Sequence, residues 1–142
     1  MRGTSRREEG LAPIEAAAIE PALADPERPG TILDLVADVA VVYYLLGSAQ
    51  GEGGLLGAIH GPRLERLMEH LVDTPVRGFV YEGAGAVGAP LLEPGTEIVH
   101  AASRTWRIPV AIVATEPNEP GRWSEEMANA ALAMLPPAHD PK

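Results

Sequence analysis

The segment "VADVAVVYYLL", Val36 to Leu46, restricts the fold more than any other part of the chain. It carries a single charge, at Asp38, is rich in valine and tyrosine, and stops at Gly47-Ser48. A strand wet on one face alternates apolar and polar residues. One that does not alternate is covered on both faces, as strands of a parallel sheet are. "VRGFVYE" (Val76 to Glu82) and "IPVAIVATE" (Ile108 to Glu116) have the same character, and "IEPALAD" (Ile19 to Asp25) is a weaker candidate.

Between these runs the apolar period becomes helical. "RLERLMEHLVD" aligns Leu64, Leu67, Met68, Leu71 and Val72, and "GTEIVHAASRTWR" aligns Ile98, Val99, Ala102, Thr105 and Trp106. A last stripe joins Trp123, Met127, Ala130, Ala131 and Met134. Such stripes face a core, and both tryptophans are expected there. "TILD" reads as a short helix with Thr31 as N-cap, and "EEGLAPIEAAAI" as an opening helix. Helix alternating with buried strand predicts an α/β fold, a Rossmann-like three-layer αβα arrangement around a mostly parallel sheet. One domain over residues 1–135 and a frayed tail over 136–142 are expected. Ligands of such folds bind beyond the carboxyl ends of the strands. Those ends are Leu46-Gly47-Ser48, Glu82-Gly83-Ala84 and Thr115-Glu116.

Composition removes several functions. With no cysteine in 142 residues, disulfides, thiolate catalysis and Cys-based zinc sites are excluded. A net charge of -9 argues against nucleic acid as a partner. No apolar run reaches the roughly 18 residues of a membrane span. The opening "MRGTSRREEG" has no hydrophobic stretch behind its basic residues, so it is not a secretory signal, and a cytoplasmic protein is expected. His60, His70, His100 and His139 lack metal-ligand spacing, and His70 and His100 are expected at the surface. Ser48 lies in no G-x-S-x-G elbow.

Gly83-Ala-Gly85-Ala-Val-Gly88 fits G-x-G-x-x-G after a strand, and Glu116 ends the next strand, where a ribose-binding carboxylate would stand. Read that way, it is the phosphate loop of a dinucleotide site. A phosphate loop should lead directly into a helix, however, and Pro90 and Pro94 place the clear helical stripe only from about Thr96. The other reading is a glycine-rich turn at a strand's end. Glu82 is the most prominent carboxylate at that end, facing the expected crevice.

Taken whole, the chain resembles the later part of an NAD(P)-binding Rossmann domain of the short-chain dehydrogenase/reductase superfamily, on the epimerase/dehydratase side. "MRGTSRR" resembles the end of that family's second strand, which implies that Arg6 and Arg7 receive the 2'-phosphate of NADP. "IEPALADPERPGTILDLVADVAVVYYLLGSA" resembles the third strand, the acidic turn that contacts adenine (here Asp25), a helix and the fourth strand. That strand's end, Leu46-Gly47-Ser48, would lie beside the nicotinamide ribose. "PVRGFVYEGAGAVG" falls on the fifth strand, putting Glu82 and Gly83 at the cofactor, and "RIPVAIVATEP" on the sixth.

The departures are as informative. The family's glycine loop belongs between its first strand and first helix, so the βαβ unit that carries it is expected upstream of Met1, with Met1 at an internal start codon. The family's tyrosine–lysine pair is absent: the only lysine is Lys142, and Tyr43, Tyr44 and Tyr81 fall on strands. The serine after the fifth strand is replaced by Glu82-Gly83. The resemblance therefore implies a non-catalytic NAD(P)-type domain with weak or no cofactor binding as given. The alternatives are a non-enzymatic interaction module and a dinucleotide binder using Gly83–Gly88. In the order 3-2-1-4-5-6, loss of strands one and two would leave Val39–Leu46 as an open edge. That edge implies a homodimer, unless "PALAD" slides in beside it or comes loose.

Overall fold

The computed structural model describes residues 1–18, 20–36 and 38–134; the tail lies outside them. Among the described residues five strands form two all-parallel sheets. β1 (Arg2–Ser5) pairs with β2 (Glu20–Leu23). β3 (Val41–Tyr44), β4 (Gly78–Glu82) and β5 (Val110–Val113) form the second sheet in that order. The helices are α1 (Leu11–Ala16), α2 (Pro29–Leu33), α3 (Gly53–Ile59), α4 (Pro62–Leu71), α5 (Ala89–Trp106) and α6 (Pro120–Met134). This is a Rossmann-like α/β fold.

The three-stranded sheet carries the core. Side chains alternate across a strand, so Phe79 and Tyr81 of β4 leave one face and Val80 and Glu82 the other. The first face, with Tyr44 of β3, meets Leu64, Leu67, Met68 and Leu71 of α4 and Leu92, Val99 and Ala102 of α5. On the second face, Val80 and Val113 meet Met127 of α6, flanked by Trp123. All of β4 is buried, as its unbroken apolar run predicts.

Several expectations change. The Val36–Leu46 run is a strand only over Val41–Tyr44, because Val36 and Val39 donate to Leu33 and Val36 carbonyls in turns leading into it. The cover over β3 is thinner than expected on the α6 side: Val41 packs there and the Tyr43 hydroxyl reaches the Met127 carbonyl, yet Tyr43 is 37% exposed, at an edge that pairs with no strand among the described residues. "PALAD" neither slides beside β3 nor comes loose, because "RGTS" supplies its neighbour as β1. Thr31 is not an N-cap: α2 starts at Pro29, and the Thr31 hydroxyl accepts the Asp25 N–H and donates to the Arg28 carbonyl. Val72, Thr105 and Trp106 are exposed rather than core, Trp106 in the last turn of α5. The opening helix is a 3-10 turn over Glu8–Gly10 followed by α1.

The largest correction concerns α5. It begins at Ala89, directly after Gly88, and continues through Pro94 to Trp106. Pro90 stands in the first turn, where no intrahelical N–H bond is lost. Pro94 has no N–H to give the Pro90 carbonyl, and both prolines are exposed residues.

Candidate functional site

The carboxyl ends of both sheets open onto one cleft of about 190 Å³. Thr4, Ser5 and Arg6 come from the end of β1, and Ala24, Asp25 and Pro26 from the end of β2. Leu46, Ala49 and Gln50 follow β3, and Leu55 and Ile59 of α3 complete an apolar floor. Of the residues singled out in the sequence, Arg6, Asp25 and Leu46 therefore meet. Arg7 is exposed beside them but does not line the cleft. Asp25 is shaped for its place: its backbone N–H and C=O engage Thr31, and its Oδ1 accepts the Glu27 N–H at 2.9 Å, fixing the turn after β2.

Glu82 and the two glycine segments behave differently from what the sequence suggests. Glu82 is neither a solvated turn residue nor part of the cleft wall. It is 4% exposed, and its oxygens accept the Gly47 N–H and the Trp123 indole N–H, each at 2.8 Å. It ties β4 to the loop after β3 and to α6. Around it the loops after β3 and β4 interlock. The Gly47 carbonyl accepts the Val87 N–H at 2.9 Å, and the Ser48 hydroxyl accepts the Ala86 N–H at 3.0 Å.

This interlock decides what Gly83–Gly88 does. A helix does start at the end of the motif, as a phosphate loop requires. Yet its amides are engaged inside the protein: Gly83 with the Val113 carbonyl, Ala86 with Ser48, Val87 with Gly47 and Gly88 with the Gly85 carbonyl. The proline at position 90 removes one more. Gly85 has φ +146 and lies so close to the Gly47 carbonyl that a Cβ would overlap it. The glycines allow two loops to touch, and that contact takes up the N–H groups of Ala86 and Val87, which an anion could otherwise use.

Sequence reading missed the residues behind the cleft. The His60 ring is buried, with Nε2 at 2.9 Å from the Leu46 carbonyl and Nδ1 at 2.6 Å from the Tyr81 hydroxyl. Tyr44 donates to the Ile59 carbonyl at 2.6 Å. Burial pushes the Tyr44 and Tyr81 phenols up and the His60 imidazole down, the latter opposed by the Leu46 hydrogen bond and by Glu82. His70 and His100 are exposed, as expected. Among the described residues no cluster of metal-ligating side chains occurs, and no helix is long and apolar enough to cross a membrane.

The cleft fits one part of a dinucleotide better than the whole. Sites for drug-sized ligands run to about 300–1,000 Å³, and this one is smaller. An apolar floor with a hydrogen-bonding rim and Arg6 at one end suits a nucleoside with a phosphate. In the glycine loop the N–H groups of Gly83, Ala86, Val87 and Gly88 are already taken up within the protein.

No protein-family model matches the sequence, and no curated protein matches it. Among solved structures the chain is similar to triphenylmethane reductase of Citrobacter sp., in a study of the bioremediation of triphenylmethane dyes and in a crystal structure complexed with NADP(H). The identities are 19% and 18%, with a TM-score of 0.56 in each case. The similarity covers 77% of this chain and 37% of the reductase, so the chain spans little more than a third of that protein's length. At this identity the likeness concerns the fold, which is the Rossmann-like α/β arrangement described above.

Proposed function

We propose that the chain is a Rossmann-type NAD(P)-binding domain that takes the adenosine end of the cofactor and is not itself catalytic. The observation that carries this reading is the meeting of Arg6, Asp25 and Leu46, from the ends of three parallel strands, on one cleft. Ligand binding beyond the carboxyl ends of parallel strands is the rule for this architecture. A structural neighbour complexed with NADP(H) supports the cofactor class. Arg6 would pair with the 2'-phosphate, Asp25 would face the adenine, and the apolar floor would take the ring. NAD(P), when bound, would supply hydride chemistry. Here the chain's own residues bind and orient, and no Tyr-x-x-x-Lys pair is present to move a proton.

Calorimetric titration with NADPH and NADH tests the reading. With the pyrophosphate unsupported, a Kd of about 1 mM for NADPH, roughly -4 kcal/mol, is expected, with NADH weaker. Arg6→Ala should abolish the difference. Equal affinity for the two cofactors would contradict the role of Arg6. A micromolar Kd would mean that a phosphate loop operates after all.

A further inference from the structure

β1 and β3 each end a sheet with a row of backbone groups turned outward. In a parallel ladder alternate residues direct their N–H and C=O groups to opposite sides. The Ala40 carbonyl accepts the Arg77 N–H, so Val42 and Tyr44, in step with Ala40, serve β4, and Val41 and Tyr43 face the open edge. In β1 the Met1 and Ser5 carbonyls accept the Glu20 and Ala24 N–H groups beside β2, which leaves Arg2 and Thr4 turned outward. Among the described residues no backbone group answers either row. The two strands run the same way and lie close together. Their carboxyl ends share the cleft, where Thr4, Ser5 and Arg6 meet Leu46. At the amino end the Arg2 guanidinium bonds the Leu35 carbonyl and Asp38, in the segment that feeds β3. An arginine side chain with its hydrogen bond reaches about two strand spacings of 4.8 Å, the width that one strand needs.

We infer that this slot receives an extended, uncharged, β-branched segment of another protein, which enters as a strand parallel to β1 and β3 and joins the two sheets into one. The edges specify the guest. Each offers donors and acceptors in turn, so the segment must donate and accept on both sides, without proline at the paired residues. Native edges repel strands with charged side chains, and β3 has none between Val39 and Leu46. Tyr43 is exposed on the α6 side of the sheet and Val42 half-buried on the other, so β-branched neighbours would cover both. A second copy fits less well, because its β3 would bring β4 and β5 into the place that β1 and β2 hold. The chain's own last residues include Pro136, Pro137 and Pro141, which lack ladder donors. The inference goes beyond the nucleotide reading and does not rest on it, although the guest's carboxyl end would emerge in the same cleft.

The test uses NMR of the full chain with a capped hexapeptide of alternating valine and threonine. The control is the same peptide N-methylated at every second residue, which removes its donors on one side. The amides of Val41, Tyr43, Arg2 and Thr4 should shift together and saturably, and their exchange at full occupancy should slow about tenfold. The N-methylated peptide should bind about tenfold more weakly. A spin label on the peptide's carboxyl end should broaden Ser5 and Leu46, and one on its amino end Arg2 and Val39. Tyr43→Pro removes an outward N–H and leaves the β4 ladder intact, so it should fold and lose the peptide. Shifts on one edge only, equal binding of the two peptides, or a reversed label pattern would overturn the inference. So would β3 amides already protected in a self-associated chain without peptide, which would give the slot to a second copy. If Tyr43→Pro does not fold, the two peptides and the labels decide alone. Failure of NADPH to bind the cleft would leave each of these outcomes unchanged.

Discussion

The two sheets are both parallel, yet they are held together by different means. In the β3–β4–β5 sheet, helices cover both faces and β4 is buried along its whole length. In the β1–β2 pair, α1 contributes no buried residue, Leu23 is 48% exposed, and the buried apolar residue, Ala24, comes only at the strand's end. A two-stranded ribbon with little apolar cover is marginal by itself. This one relies on its ladder and on Arg2, which bonds the Leu35 carbonyl, Asp38 and Glu20. The thinly packed pair nevertheless supplies Arg6 and Asp25. The molecule thus divides into a part that supplies the stability and a part that supplies half of the candidate site, as expected when binding elements come from the less stable end of a structure.

Substitutions sharpen that division. Phe79→Ala, at a fully buried position of β4, should cost about 3–5 kcal/mol and be read as a large fall in Tm. A loss below 1 kcal/mol would mean that the three-stranded unit is not the stability core. Gly95→Ala inserts a methyl group against Tyr81 and should cost about 1–3 kcal/mol, lifting the hydroxyl off His60. Wild-type stability in that variant would contradict the tight seating of the pair. Glu82→Gln places an amide N–H against either the Gly47 N–H or the Trp123 indole, leaving one donor unpaired. Its expected cost is about 1–2 kcal/mol, with a changed Trp123 emission. An unchanged Tm and spectrum would remove Glu82 as the tie between the loops. Arg2→Ala should have the smallest global effect. Amide exchange should accelerate over residues 2–5 and 20–23 and stay unchanged in β4. Equal acceleration in both sheets would erase the distinction drawn here.

The same division governs what could be read from the sequence. β4, α4 and α6 were legible because a segment packed on a core repeats its apolar residues with the period of its own geometry. β1 was reached only through family resemblance, since "RGTS" has no apolar pattern to bury. α3 left no helical signal, because three of its seven residues are glycines with poor helix propensity. The start of α5 was obscured by Pro90, which in the first turn need not break a helix, and by Pro94, which lies inside it and forfeits one intrahelical hydrogen bond. For the site, the strand ends were legible but the bonds behind them were not. His60 meets Tyr81 across 21 residues and Glu82 meets Trp123 across 41, and no local spacing encodes such pairs.

The central claim is that the cleft, and not the glycine loop, receives the nucleotide. It is tested most directly by following backbone amide shifts of the full chain during titration with NADPH at pH 8. The expected result is saturable shifts at Ser5–Arg7, Ala24–Asp25 and Leu46–Gln50, with at most secondary changes at Gly83–Gly88. Shifts centred on Gly83–Gly88 and the start of α5, or none at the cleft at several times the expected millimolar Kd, would contradict it.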